Sequence, residues 1–167
     1  MDPTASWFVM NVKEVGFYRV NYDTSSWLRL INSLNGKDFA LIDEVNRAQL
    51  IDDSLNLARA GYIEYDVALN LTTYLRQETS YIPWEAMMTA STYLSQRIEH
   101  DPMIKELYRK HVLHLVDEAY KKFGFSEDLT RDSMMEQSTR ELILKLACRY
   151  DHEDCVKQSV NYYARGR

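Results

Sequence analysis

Apolar residues recur at helical spacing through most of this chain, most clearly between Asp43 and Gly61. Val45, Ala48, Ile51, Leu55 and Ala58 fall three or four apart and make one face. Leu50 and Leu57 sit nearly opposite them. A helix that is apolar on two sides packs between neighbours rather than lying on a surface. Both ends are marked. Asp43 can accept a hydrogen bond from a free first-turn N–H, and Gly61 suits the left-handed position that closes a helix. This stretch is expected to be the centre of the fold.

The same periodicity predicts helices on both sides of it. Asp23 or Thr24 can cap one that carries Trp27, Leu28, Ile31 and Leu34 and stops at Asn35-Gly36. Asp66 can cap another, with Val67, Leu71, Tyr74 and Leu75 on one face. Pro83 stands where a first helical residue belongs, ahead of Trp84, Met87, Met88, Ser91 and Leu94. Asp101-Pro102 repeats that device before Ile104, Leu107, Tyr108, Leu115, Ala119 and Phe123, with Gly124 as the stop. Beyond a polar loop at 126–132 lies a helix with Met135, Leu142, Ile143 and Leu146. A last helix runs from about Glu153 to Tyr163.

Trp7 to Tyr22 reads differently. The runs 8–12 and 16–22 are rich in β-branched and aromatic residues, and Tyr18, Val20 and Tyr22 alternate with Phe17, Arg19 and Asn21. They predict two short strands paired through the turn at 13–16. Two strands are marginal alone, so they imply the edge of a larger sheet. The expected fold is mainly α: an irregular array of antiparallel helical hairpins, superhelix-like, preceded by a short β-strand pair. No fixed sequence repeat marks a regular solenoid.

Composition narrows the class. The 167 residues suffice for a sizeable core, and 46% are apolar and 27% charged, ordinary values for a globular protein. Five Gly and three Pro favour helices with short connections. A net charge of -5 argues against a nucleic-acid partner, which needs basic patches. No apolar run is long enough to cross a membrane, so no direct membrane segment is expected. Residues 1–6 lack the basic and apolar pattern of a leader, so an export signal would have to lie outside this chain.

Three segments stand out in order: Gly16 to Asp23 followed by Trp27, then Asn46-Arg47-Ala48-Gln49-Leu50-Ile51-Asp52-Asp53, then Tyr81-Ile82-Pro83-Trp84-Glu85. Together they resemble the C-terminal region of the M1 family of zinc aminopeptidases, of the aminopeptidase N type. The pair Cys148 and Cys155 has a spacing that extracellular members share. The resemblance implies a boundary: 1–22 as the terminal strands of a β-sandwich domain, and 23–167 as part of the C-terminal helical domain. That domain would arch over the catalytic domain and close the substrate cavity. The zinc-binding His-Glu-x-x-His and the amine-holding Gly-Ala-Met-Glu-Asn do not occur in this sequence. The chain alone is therefore expected not to be an enzyme and to hold no cofactor, with zinc in the parent's catalytic domain.

Each candidate residue has two readings. His111 and His114, with Glu118 one turn on, could serve a metal, but a third and fourth ligand are not in view. In a reducing compartment Cys148, His152 and Cys155 could be zinc ligands; in an exported protein the cysteines make a disulfide, the reading the resemblance favours. Asn70-Leu71-Thr72 is an N-glycosylation sequon, and such triplets also arise by chance. Asp52 and Asp53 could be a carboxylate pair for acid–base work, but adjacent helix positions diverge by about 100°. A structural, hydrogen-bonded role is expected for both, and Arg47 is expected to pair with Asp43 one turn back.

The expected function is a non-catalytic part of a secreted or surface-anchored aminopeptidase. Its partners would be the parent's other domains and, through the shared cavity, peptide substrates. Self-association of the isolated chain is also expected. The alternative is a self-standing helical interaction module without enzymatic activity.

Overall fold

The computed structural model describes residues 7–127, 130 and 132–166. Its α-helices in order are α1 (Thr24–Leu34), α2 (Glu44–Arg59), α3 (Tyr65–Leu71), α4 (Tyr81–Arg97), α5 (Pro102–Phe123), α6 (Met134–Arg149) and α7 (Glu153–Arg165). Short 3-10 turns lie at Val12–Glu14, Phe39–Leu41 and Thr72–Gln77.

The helices start where local chemistry satisfies their free N–H groups. Asp23 accepts from Ser26, Asp43 from Val45, and Asp101 from both Met103 and Ile104. Ser133 and Glu136 form a reciprocal capping box on α6. Gly61 and Gly124 take positive φ values of 77° and 68° just past α2 and α5, where a Cβ would be strained.

Two expected starts move. α3 starts after Glu64, whose side chain makes no capping bond, and Asp66 lies in its first turn with its carboxylate on the Val67 N–H. α4 begins at Tyr81, so Pro83 is its third residue. A missing N–H is still harmless there, because the first four have no partner in the helix. The stretch carrying Tyr74 and Leu75 is 3-10 rather than α. Thr72 and Thr73 both turn their hydroxyls back onto carbonyls three residues earlier, at 2.7 and 2.6 Å, where the helix tightens.

The centre of the array is α2. It buries Leu50 and Leu57 on one side and Ile51 and Ala58 on another, between α3 and α4. α4 in turn packs on α6, α6 on α5, and α7 on the end of α6. Trp27, Tyr74 and Trp84 are fully enclosed. Some expected core positions face outward. Leu28 is exposed, and Leu30 completes the α1 face with Trp27, Ile31 and Leu34. Ile104, Leu107 and Met135 are also exposed.

The predicted strand pair is absent: among the described residues there is no strand. The polar backbone of this segment is taken up by side chains instead of a ladder. The Asn11 side chain accepts from the Gly16 N–H at 2.7 Å and donates to the Gly16 carbonyl at 2.8 Å. The Tyr22 hydroxyl accepts from the Met10 N–H at 2.9 Å. Asn11, Lys13 and Glu14 take left-handed φ values of 56°, 59° and 52°, which no strand allows.

Candidate functional site

Two polar faces of α2 account for the buried hydrophilic residues of the centre. The first grips the N-terminal segment. Asn46 donates to the Asn11 carbonyl at 3.2 Å and accepts the Lys13 N–H at 3.0 Å. Its amide also donates to Gln49 at 2.7 Å. One further turn along, Asp53 accepts the Val20 N–H at 3.0 Å, the Arg19 guanidinium at 3.2 Å and the Gln49 amide at 3.4 Å. Asp52 receives the same Arg19 nitrogen. Positions 46, 49 and 53 share one side of a helix, so their side chains form a polar spine.

Asp52 and Asp53 thus meet on one cation although they are adjacent in sequence. Their environments differ: the Asp53 side chain is 5% exposed and that of Asp52 44%. Burial pushes the Asp53 carboxyl up, opposed by the Val20 N–H and Arg19. Glu14 is also raised, first by burial and then by the nearby charges of Asp53 and Asp52. These groups line a cleft of about 320 Å³ with Gly16, Phe17 and Tyr18. A Cβ on Gly16 would lie 2.2 Å from the Tyr18 ring, so only glycine fits this turn as it stands. Arg19 ties down both carboxylates from within the cleft, which makes a joint rather than an acid–base pair.

The second face is built on Arg47. Its Nε and one terminal nitrogen donate to the two oxygens of Glu78 at 2.6 and 3.1 Å. The other terminal nitrogen donates to the Ile42 carbonyl at 2.6 Å, and the Phe39 ring lies 4.3 Å from the guanidinium carbon. Glu78 also accepts the N–H groups of Thr79 and Ser80, both at 2.8 Å, ahead of α4. Tyr74 donates its hydroxyl to the Arg47 carbonyl at 3.0 Å, and Trp84 its indole N–H to the Glu78 carbonyl at 3.2 Å. A buried ion pair survives only when its remaining hydrogen-bonding capacity is used, and here it is. The expected Arg47–Asp43 pair is not made; Asp43 meets Lys13 at 3.8 Å.

The other candidates are scattered. His111 is half-buried, 3.0 Å from the Thr72 hydroxyl and stacked on Tyr108, while His114 and Glu118 are exposed. Glu118 meets Lys121. Thr72 spends its proton on the Leu69 carbonyl, so the His111 Nε2–H must be the donor between them. Burial and then His114 hold the His111 imidazole below its usual pKa. Among the described residues, no three His, Cys, Asp or Glu side chains gather as metal ligands. Cys148 and Cys155 are joined by a disulfide with Cα atoms 5.3 Å apart. The turn between them ends α6 and starts α7, with Asp151 at φ 61° and His152 Nδ1 accepting the Cys155 N–H at 3.4 Å. Asn70 is exposed on α3.

Sequence reasoning did not single out Arg19, Asn46, Gln49 and Glu78 as partners in these networks. Asn46 and Gln49 carried a signal, since two amides on the inner turns of a buried helix need partners. Glu78 carried none: it sits between two helices, and its partner is 31 residues away.

Comparison with known proteins follows the same span. Residues 7–166 match the ERAP1-like C-terminal domain family. An aminopeptidase N from Plutella xylostella is 40% identical over 152 residues, covering 91% of this chain and 16% of that protein. An aminopeptidase A from Gloydius brevicauda is 34% identical over 154 residues, covering 92% and 16%. The thyrotropin-releasing hormone-degrading ectoenzyme of Mus musculus is 31% identical over 159 residues, covering 92% and 15%. The chain thus spans about a sixth of the length of these relatives.

Proposed function

The chain belongs to the ERAP1-like C-terminal domain family, and from that premise we propose that it is a non-catalytic helical portion of an M1-type zinc aminopeptidase. The parent would remove N-terminal residues from peptides. This portion would shape and close the cavity in which that happens, and its partners would be the parent's other domains. Among the described residues no ligand set for zinc gathers: His111 Nε2 is engaged with Thr72, and the cysteines are bonded to each other. Zinc would be held by the parent's catalytic domain.

The observation that carries the reading is the grip of α2 on residues 11–20. Three side chains of one helix, Asn46, Asp52 and Asp53, hold the backbone and the single arginine of a segment that has no ladder of its own. The same segment leaves Val15 and Phe17 almost wholly exposed. That pairing suits a joint, fastened on one side to the helical array and bare on the side where a preceding domain would sit. We place the boundary near Tyr22 and Asp23, where α1 is capped, and assign 1–22 to the sandwich side.

The disulfide supports an oxidising compartment, and with the ectoenzyme among the relatives it favours a secreted or cell-surface parent. No described helix is long and apolar enough to cross a membrane. The test is direct. The purified chain, given aminoacyl anilides and zinc, is expected to show no turnover. Hydrolysis that a chelator abolishes would refute the non-catalytic assignment.

A further inference from the structure

Asn70-Leu71-Thr72 is the one Asn-x-Ser/Thr triplet in the sequence. In the fold its members have opposite fates. Asn70 is exposed, whereas Leu71 and Thr72 are wholly buried. The Thr72 hydroxyl is doubly engaged: it donates to Leu69 at 2.7 Å and accepts from His111 at 3.0 Å. The helix continues without a break from α3 into the 3-10 turn, so the triplet is rigid as well as half hidden. A transferase must read the hydroxyl and the asparagine together, on a chain that can still bend toward it.

We propose that Asn70 carries an N-linked glycan, attached to the nascent chain before α5 docks. The proposal rests on the secretory location argued above. The reaction transfers an oligosaccharide from its lipid diphosphate donor to the Asn70 side-chain nitrogen. An N–glycosidic bond forms, the sugar–phosphate bond breaks, and the amide proton leaves with the diphosphate. His111 follows Thr72 by 39 residues. Until that histidine is made and α5 folds, the sequon is open; afterwards it is closed. The exposed amide then leaves the glycan in solvent beside Asn35, whose side-chain oxygen lies 3.1 Å from the Thr73 hydroxyl. This edge of α1 and α3 is consequently a solvent face in the parent, not a domain contact.

The test uses the full chain behind a supplied cleavable leader, translated with microsomes. A single glycosidase-sensitive mass increase is expected. It disappears in Asn70→Gln and persists in Thr72→Ser, which keeps both hydroxyl and sequon. Absence of the increase in the unsubstituted chain overturns the proposal. In a second arm the folded, unglycosylated chain is offered to the solubilised transferase and its lipid-linked donor, with a free acceptor peptide as control. At least tenfold less modification is expected than for the same chain unfolded in urea and diluted in. Equal modification overturns the order of events. Because the leader is supplied, a wrong location for the natural parent appears separately, as a parent whose Asn70 is bare although the microsomal chain is modified.

Discussion

Asp53 holds a backbone N–H, an arginine and an amide at once, and replacing it leaves each without a partner in a dry place. Asp53→Ala is expected to lower stability by about 1–3 kcal/mol, the range for orphaned buried donors. Asp52→Ala, at a half-exposed position on the same cation, should change it by about 1 kcal/mol or less. Urea unfolding of the two variants measures the difference, and equal losses would remove the distinction drawn between these neighbours. Arg47→Ala strands a buried Glu78 and should cost about 3–5 kcal/mol. His111 gives a pH signature. Its imidazole is depressed in the fold from the ordinary 6.5. The unfolded chain therefore takes up a proton before the native one does, and this contribution to stability is present above about 6.5 and declines as pH falls below it. His111→Gln, which can still donate to Thr72, should flatten that part of the profile. An unchanged slope would mean the histidine is not the titrating group.

At the scale of elements, the legible features were those whose partners lie close in sequence. Asp23, Asp43, Asp101-Pro102 and the closing glycines act within a few residues, so the helices could be placed from them. The strand pair could not. Alternation at 18–22 reports a chain with one side buried, and Val20 and Tyr22 are buried, but Tyr18 is exposed and the Val20 N–H goes to the Asp53 carboxylate of α2 rather than to a neighbouring strand. Arg47 was assigned to the nearest carboxylate, but the long side chain reaches across the core to Glu78, which no local rule finds. The disulfide at the α6–α7 turn is an element-scale device. Closing so short a loop stabilises by about 2.5 kcal/mol through chain entropy. Its effect should be confined to residues 148–163, with α2 unaffected. Hydrogen exchange before and after reduction checks this, and a uniform loss of protection along the chain would contradict it.

The molecule as a whole exposes apolar side chains at both ends of the array. Val15 and Phe17 stand clear at one end, and Val160, Tyr162 and Tyr163 on α7 at the other. In the parent such surfaces would meet neighbouring structure; in isolation they invite association. The purified chain is expected to self-associate at high concentration, and Phe17→Ser or Val160→Ser to weaken it without loss of stability, since neither side chain is buried. Sedimentation decides: a clean monomer across the concentration range would show that these patches are inert.

The indole of Trp27 is buried, 4.9 Å from the Tyr22 ring, and its N–H donates to Asn21 at 3.0 Å. It therefore lies under Asn21 and Tyr22, which directly follow the segment that α2 grips, while Trp84 is sealed by the far network. The two differ as chromophores in what they can sense. If the joint opens while the helices stay folded, Trp27 meets water and its emission moves to the red, together with that of half-buried Trp7. Trp84 keeps its blue emission and stays out of reach of iodide. The chain thus carries a built-in optical gauge of whether its N-terminal segment stays fastened to the helices, readable without a label and separable from unfolding by the part of the light that does not shift.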